Sequence, residues 1–192
     1  ITYKDYTAPT FALTEPLRFA MNTQDIMGTL TCSDVLDGDV TGKIKMSSEY
    51  YVQADVAGEY PMVYQVANSA GDVQKLPVTV EIYDPSKEAP KPQFELSEYL
   101  VYTPAGTAID PWSYVQQITM GGIEFKRGED GVLRDPNPAE KQERTAITAD
   151  EVQITNPTDF NTPGTYEILY QMTDDSGKES ATGQIRLIVV VR

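Results

Sequence analysis

The sequence predicts an all-β chain made of two tandem β-sandwiches, and three observations lead to this prediction. Residues 58–71 and 164–177 are two copies of one pattern, aligned without a gap 106 residues apart. Each copy continues into a strand of alternating apolar residues, and a proline-rich segment, 85–92, lies between the two halves. Because an internal repeat indicates that the chain contains the same structural unit twice, we expect domains at 1–84 and 93–192 with a linker, 85–92, between them.

Each copy of the repeat predicts a β-hairpin that closes its domain. Gly58 and Gly164 suggest a turn that a Cβ would resist. A strand follows, in which four side chains of one parity point to one face of a sheet. These side chains are Tyr60, Met62, Tyr64 and Val66 in the first copy and Tyr166, Ile168, Tyr170 and Met172 in the second. A polar turn then ends in Gly71 or Gly177, where we expect the left-handed conformation of a short hairpin loop.

The same residues resemble a known family. Asp37-Gly38-Asp39, then Gly58-Glu59-Tyr60, then residues 64–71 are similar to the bacterial immunoglobulin-like domains strung in tandem on secreted and cell-wall proteins. The second copy keeps residues 162–166 and 170–177 of that motif and lacks the Asp-Gly-Asp element. The resemblance implies two tandem immunoglobulin-like β-sandwiches of about seven strands each, with an extracellular or cell-surface location.

Tyr60 and Tyr166 allow two interpretations. In one, each forms a tyrosine corner, in which the phenol bonds to nearby backbone. In the other, both are ordinary half-buried strand tyrosines.

Further strands are predicted from alternating apolar residues. In the first half they lie at 10–13, 17–21, 29–33, 40–45 and 50–53. In the second half they lie at 93–96, 100–102 and 147–154, with 113–120 either a strand or one helical turn. The three prolines of 85–92 predict a stiff, extended spacer. Residues 121–146 are an insertion relative to the first half, in which 123–126 and 132–134 are expected to pair as an exposed hairpin.

Composition excludes several classes of function. The net charge of −14 is shared equally by the two halves and argues against binding to nucleic acid or anionic lipid. The chain has no histidine, which removes His-based acid–base catalysis and most zinc chemistry. Its one cysteine, Cys32, is predicted to be a small buried apolar residue, and the alternative is a reactive thiol. The chain shows no signal peptide, membrane span or initiator Met, so we expect a segment of something longer.

Asp34, Asp37 and Asp39 surround Gly38 and allow two interpretations. Clustered carboxylates suit a hard cation such as calcium, but the full twelve-residue calcium loop with its closing glutamate is absent. The alternative is a turn in which aspartate side chains bond neighbouring backbone amides. The second interpretation is favoured, so no cofactor is predicted and calcium is retained only as a hypothesis.

Trp112 and Tyr114 are the candidate ligand-binding residues. With neighbouring tyrosines they suggest an aromatic platform for a sugar ring, although a solitary Trp in a sandwich more often belongs to the core or a domain junction. Paired carboxylates such as Glu129 with Asp130 suggest a glycosidase, but in so acidic a chain they are solvated surface by default. Insertions on a rigid scaffold often carry binding residues, so 121–146 is the first place to look for a specific site.

The sequence therefore favours a non-catalytic module of a bacterial surface or secreted protein, which acts as a spacer, adhesion or presentation segment. The alternative is a carbohydrate-binding module centred on Trp112, and an enzyme is third. The expected partner is an unknown protein or glycan at the cell surface. We expect the fragment to be monomeric.

Overall fold

A computed structural model describes residues 5–192. The chain separates into two compact units, Ile1–Asp84 and Pro85–Arg192, called unit 1 and unit 2 here. Both consist of strands joined by turns and single-turn 3₁₀ helices, which confirms the all-β prediction.

Unit 1 forms seven strands within its described residues. They are β1 (Thr10–Ala12), β2 (Arg18–Ala20), β3 (Thr31–Asp34), β4 (Gly38–Asp39), β5 (Lys45–Met46), β6 (Gly58–Ala67) and β7 (Val73–Tyr83). One sheet has the order β1-β3-β4 and is antiparallel throughout. The other has the order β2-β7-β6-β5.

Unit 2 forms nine strands. They are β8 (Gln93–Leu96), β9 (Leu100–Thr103), β10 (Val115–Met120), β11 (Ile123–Arg127), β12 (Leu133–Arg134), β13 (Ala146–Ile147), β14 (Gln153–Thr155), β15 (Gly164–Asp174) and β16 (Ala181–Val191). One sheet has the order β13-β12-β11-β10-β8, and the other β14-β15-β16-β9.

Each unit is built around the long hairpin that the repeat predicted. All ten residues of β6 pair with β7, and all eleven of β15 pair with β16. A short strand runs parallel to the last strand of each hairpin, β2 beside β7 and β9 beside β16. A short antiparallel strand, β5 or β14, flanks the other side. With a second sheet in each unit, this is the arrangement of an immunoglobulin-like sandwich.

The predicted parity of the hairpin strands is confirmed. Met62, Tyr64 and Val66 are buried in unit 1, as are Ile168, Tyr170 and Met172 in unit 2, whereas Tyr60 and Tyr166 are half-buried at the strand entrances. Cys32 on β3 is also buried, as predicted. Its burial, together with the nearby Asp34 carboxylate, raises the pKa of the thiol to about 11.

Both units contain a tyrosine corner. The Tyr60 hydroxyl donates to the carbonyl oxygen of Val56 over 2.8 Å. The Tyr166 hydroxyl donates to the carbonyl oxygen of Thr162 over 3.0 Å. The tyrosine reaches back four residues in each case, so the first of the two sequence interpretations is correct.

Three of the predicted strands are wrong. Residues 147–154 are not one strand, because the 3₁₀ turn Ala149–Glu151 separates β13 from β14, which belong to different sheets. Residues 40–45 contain a 3₁₀ turn, Thr41–Lys43, before β5, and the Asp39 carboxylate accepts from the amide of Thr41 at its start. Residues 50–53 form no strand and lie in the connection between β5 and β6. Alternation in this segment reflects an exposed loop with no partner strand beside it.

The proline-rich segment 85–92 is not extended. A 3₁₀ turn spans Pro85–Lys87, and the amide of Lys91 donates to the carbonyl oxygen of Glu88 over 3.0 Å. The segment belongs to unit 2, and its last residue packs on β16, because a Cβ on Gly183 would come within 1.7 Å of the carbonyl oxygen of Pro92.

The inserted hairpin forms, but its predicted exposure is wrong. Strands β11 and β12 pair through Lys126 with Arg134 and Arg127 with Leu133. The side chains of Phe125 and Leu133 are 1% and 0% exposed, so the hairpin extends the sheet of unit 2 and contributes to its core.

The expectations for the repeat glycines hold only in part. Gly71 has a φ of 84°, as predicted for the first hairpin turn, whereas Gly177 is not among the positive-φ residues. Gly58 and Gly164 are not among them either, and each lies against the ring of the corner tyrosine two residues later. A Cβ at Gly58 or Gly164 would lie 3.6 or 3.4 Å from that ring, an ordinary contact distance, so the ring does not require a glycine here.

Candidate functional site

The acidic loop of unit 1 is fastened to the hairpin turn. One oxygen of Asp34 accepts from the amides of Leu36 and Asp37 at 2.8 and 3.0 Å, and the other accepts from the side-chain amide of Asn68 at 3.2 Å. Asp37 accepts from the Ser69 amide at 2.7 Å and also from the Ser69 hydroxyl. The loop thereby docks on the residues that follow β6.

The three carboxylates of this loop face different partners. Asp37 also pairs with Lys43 at 2.9 Å, while Asp39 bonds the amide of Thr41 at 2.9 Å. The Ser69 hydroxyl, with Lys43, lowers the pKa of Asp37 to about 2, and the Thr41 amide lowers the pKa of Asp39. In residues 5–192 no group of three or more acidic, cysteine or histidine side chains is placed to hold a metal ion. Asp34 and Asp39 instead bond backbone amides two or three residues further along the chain, as in a turn capped by aspartate side chains.

Trp112 holds together two segments of unit 2. It lies on the 3₁₀ turn Pro111–Tyr114, half-buried, and its indole nitrogen donates to the carbonyl oxygen of Gly131 over 2.8 Å. The guanidinium of Arg127 lies 5.2 Å from the centre of the indole ring. Arg127 also donates to the carbonyl oxygens of Val115, over 2.5 Å, and of Trp112. The ring therefore fastens the β11–β12 loop, and the guanidinium of Arg127 lies over one of its faces.

Tyr114 is also half-buried, and burial raises the pKa of its phenol, with Glu98 and Asp110 adding to the effect. The structure thus places both predicted binding residues at a junction between core and loop.

Asp130, one of the two carboxylates considered for glycosidase chemistry, is held in an ion pair. Asp130 makes a two-point contact with the guanidinium of Arg134, at 2.8 and 2.7 Å. This contact, with the amide of Val132, lowers the pKa of Asp130 to about 2. A general acid in such a reaction needs a raised pKa, so Asp130 cannot fill that role at neutral pH.

The insertion does border a cleft in unit 2. The cleft has a volume of about 710 Å³ and lies between the β10–β11 turn, residues 143–146 and the β15–β16 turn. Its apolar lining includes Met120 and Phe125, and its charged lining includes Arg144, Glu151 and Asp174. The sequence pointed to this region, but the residues come from four separate segments.

Two carboxylates of this cleft, those of Glu151 and Asp174, are bonded by neighbouring residues. Arg144 forms an ion pair with Glu151. Burial opposes ionisation of Glu151, but bonds from Arg144 and Thr148 outweigh it and lower its pKa. The hydroxyl and amide of Ser176 lower the pKa of Asp174. These carboxylates are therefore held ionised, which suits neither proton transfer nor an anionic ligand.

A second groove lies in unit 1, where sequence reasoning placed a strand. It measures about 580 Å³ and is lined by residues that include Asn22, Gln24, Met46, Tyr50, Tyr51 and Met62. The side chain of Tyr51 is 80% exposed, the most of any large apolar side chain in the part of the chain that the structure describes. We call this surface the tyrosine groove. The only sequence signal for it is the adjacent Tyr50-Tyr51 pair in a segment without a partner strand.

Comparison with known families identifies part of unit 2. Residues 128–190 match the model of the family described as bacterial surface protein, Ig-like domain. The resemblance to bacterial surface immunoglobulin-like domains is confirmed there. Within residues 5–192 no helix has the length and apolar character needed to cross a bilayer.

Solved structures give looser similarities. The CBM51-2 domain in complex with GlcNAc and INT domains from Clostridium perfringens ZmpB shares 13% identity at a TM-score of 0.37, over 95% of this chain and 44% of that one. A lipoprotein from Bacteroides thetaiotaomicron shares 13% sequence identity at a TM-score of 0.33, and the match covers 93% of this chain and 99% of that one. Drosophila N-cadherin EC1-4 shares 12% identity at a TM-score of 0.27, and the match covers 97% of this chain and 50% of that one. The chain spans less than half of the first of these, and at such scores the superpositions add nothing to the strand topology. No curated protein matches the sequence significantly.

Proposed function

We propose that this chain is a non-catalytic segment of a bacterial cell-surface or secreted protein, which extends or presents a binding region and makes adhesive contacts of its own. The observation that carries the proposal is the match of residues 128–190 to a bacterial surface immunoglobulin-like domain. The second unit with the same hairpin-centred sheet supports it, because tandem modules of one fold suit an extended surface structure.

The side-chain chemistry of the described residues supports a role without catalysis. The chain has no histidine, and the thiol of Cys32 is buried with a raised pKa of about 11. Nucleophilic catalysis needs an exposed, activated group beside a base. At the larger cleft, bonds from Arg144 and Ser176 hold the carboxylates of Glu151 and Asp174 ionised, so neither is suited to donate a proton.

The alternative of a carbohydrate-binding module at Trp112 gains no support from the geometry. A sugar-stacking platform needs an open ring face, whereas Arg127 lies over one face of the Trp112 indole and the ring is half-buried.

The location is tested on intact cells of the source bacterium. Antibodies raised against residues 1–192 should label unpermeabilised cells or precipitate the protein from culture medium. External protease should release the epitope while a cytoplasmic marker stays intact. Labelling that appears only after permeabilisation, with no secreted antigen, would refute the proposal.

A further inference from the structure

We propose that the tyrosine groove of unit 1 is a binding site for a neutral saccharide, with a sugar ring stacked on Tyr51. The inference goes beyond the presentation role and depends on the residues of this groove alone.

The aromatic part of the groove is open to solvent. Tyr51 is 80% and Tyr50 38% exposed, and Met46 beside them is 45% exposed. The buried side chain of Met62, 4% exposed, belongs to the same lining. Large apolar side chains grouped at an exposed concave surface mark binding sites more often than isolated ones do. The apolar face of a sugar ring stacks on such an aromatic ring, which offers area at little entropic cost.

The polar part of the groove is uncharged. Among residues 5–192, those that line the groove carry no charged side chain, although 23% of the chain is charged. The side chains of Asn22 and Gln24 are amides. The Thr23 hydroxyl donates to the carbonyl oxygen of Ala20 over 2.7 Å, and the Ser47 hydroxyl accepts from the amide of Glu49 over 3.3 Å, so the amides are the main polar groups for a ligand. An amide offers both donors and an acceptor, which matches sugar hydroxyls that donate and accept. A phosphate, an acidic sugar or a basic peptide would call for an opposite charge, so a neutral saccharide fits best.

Unit 2 shows that the fold does not require these tyrosines. In unit 1 the amide of Asn22 donates to the carbonyl oxygen of Ala54 over 2.7 Å. In unit 2 the amide of Gly106 donates to the carbonyl oxygen of Phe160 over 2.6 Å, which ties together the corresponding two connections. Phe160 lies 106 residues after Ala54, the spacing of the repeat.

The same spacing places Asn156 and Pro157 where unit 1 has Tyr50 and Tyr51. The loop is therefore made in unit 2 without any tyrosine at these two positions. The exposed tyrosines of unit 1 are available for a ligand because packing does not need them.

The test is titration of the ¹⁵N-labelled full chain, followed by amide NMR, with a panel of neutral hexasaccharides (cello-, xylo-, manno-, malto- and chito-oligosaccharides). We expect at least one to shift the amides of residues 22–26 and 46–54 with a Kd of about 1 mM or tighter. Oligogalacturonate and heparin fragments serve as acidic probes and should not do so.

Variants separate stacking from other effects. Tyr51→Ala should weaken binding about tenfold, the loss expected for one aromatic contact, and Tyr51→Trp should retain it. The matched control is Val35→Ala, which shortens another exposed apolar side chain of unit 1, 64% exposed, outside the groove. Amide spectra confirm that each variant is folded.

Three outcomes would overturn the proposal. One is that no neutral saccharide moves the groove amides at about 10 mM, a concentration that would detect even millimolar affinity. Another is that binding occurs but is unchanged in Tyr51→Ala. The third is that the groove amides shift with protein concentration alone, which would assign this surface to self-association.

Discussion

Two tyrosine hydroxyls fix how the chain enters the long hairpin of each unit. Tyr60 and Tyr166 bond the carbonyl oxygens of Val56 and Thr162, four residues upstream. The bond ties the start of the strand to the connection before it, so it limits the directions from which the chain can enter the sheet. In both corners the tyrosine ring packs against a glycine two residues before it.

Removing either hydroxyl should destabilise only the unit that contains it. We expect Tyr60→Phe and Tyr166→Phe each to lower the free energy of unfolding by about 1 kcal/mol, the net value of one hydrogen bond. The chain has one cysteine and one tryptophan, so thiol labelling of Cys32 reports unit 1 and fluorescence of Trp112 reports unit 2. Tyr51→Phe, which removes an exposed hydroxyl, is the control and should change neither transition.

Ionisation of Asp37 contributes to the way in which the free energy of unfolding falls at acidic pH. Bonds from the Ser69 hydroxyl and Lys43 lower its pKa from 3.8 to about 2. A carboxylate whose pKa falls on folding stabilises the protein fully above the unfolded pKa, and that stabilisation is lost as the pH drops through the folded pKa.

Asp37→Asn should therefore be less stable than the unaltered protein at neutral pH, and the difference should narrow between about pH 4 and about pH 2. The difference is measured by comparing the urea unfolding midpoints of the two proteins at each pH, with unfolding followed by near-UV circular dichroism. Asp55→Asn, at an exposed carboxylate of the same unit, is the control. A constant difference across this window would show that the Asp37 carboxylate is not held by these bonds.

At the scale of elements, β16 is constrained by the chain that precedes β8. A Cβ on Gly183 would lie 1.7 Å from the carbonyl oxygen of Pro92 and 2.7 Å from its carbonyl carbon. Both are backbone atoms, so no side chain can move aside to make room.

Gly183→Ala should lower the stability of unit 2 by at least about 3 kcal/mol, at the upper end for overpacking. Guanidinium unfolding followed by Trp112 fluorescence measures the loss. The matched control is Gly177→Ala, where a Cβ would lie 3.6 Å from the nearest atom, the carbonyl oxygen of Glu179, and the change should be near neutral. Equal stability of the two variants would contradict the close approach of 85–92 to β16.

A second element-scale contact joins the β11–β12 loop to the 3₁₀ turn that carries Trp112. Arg127→Lys keeps the charge but removes the planar guanidinium that stacks on the ring and bonds two carbonyl oxygens. We expect a loss of about 1–2 kcal/mol and a red-shifted Trp112 emission, because Arg and Lys are not equivalent at a stacked site. Lys126→Arg, at the neighbouring exposed position, should change neither; an unshifted emission in Arg127→Lys would exclude the stacking.

Sequence periodicity predicted the elements that carry many alternating residues and failed on short ones. The parity of Met62, Tyr64 and Val66 is visible in the sequence because one face of β6 is buried along its length. Residues 50–53 are also predicted as a strand, yet a strand needs a partner strand to pair with, and none of the described strands pairs with this segment. The burial of Phe125 likewise depends on pairing with β10 and β12, which no local pattern reports.

At the scale of the whole chain, the repeat accounts for the fold, and the differences between its copies locate the candidate sites. The Asp-Gly-Asp loop fastens to the hairpin turn in unit 1 through Asp37 and Ser69. In unit 2 the insertion adds strands and a cleft instead. The tyrosine groove could not be predicted, because it joins residues near 22, 50 and 62 that become neighbours only on folding.

The chain consists of two β units that share the same hairpin-centred sheet, and each unit has a hydrophobic core of its own. The most direct test is to express residues 1–84 and 85–192 separately and to compare their amide NMR spectra with that of the full chain. We expect two well-dispersed spectra, in which the resonances of each fragment superimpose on those of the full chain, apart from residues near the junction. A collapsed, poorly dispersed spectrum from either fragment would contradict this expectation.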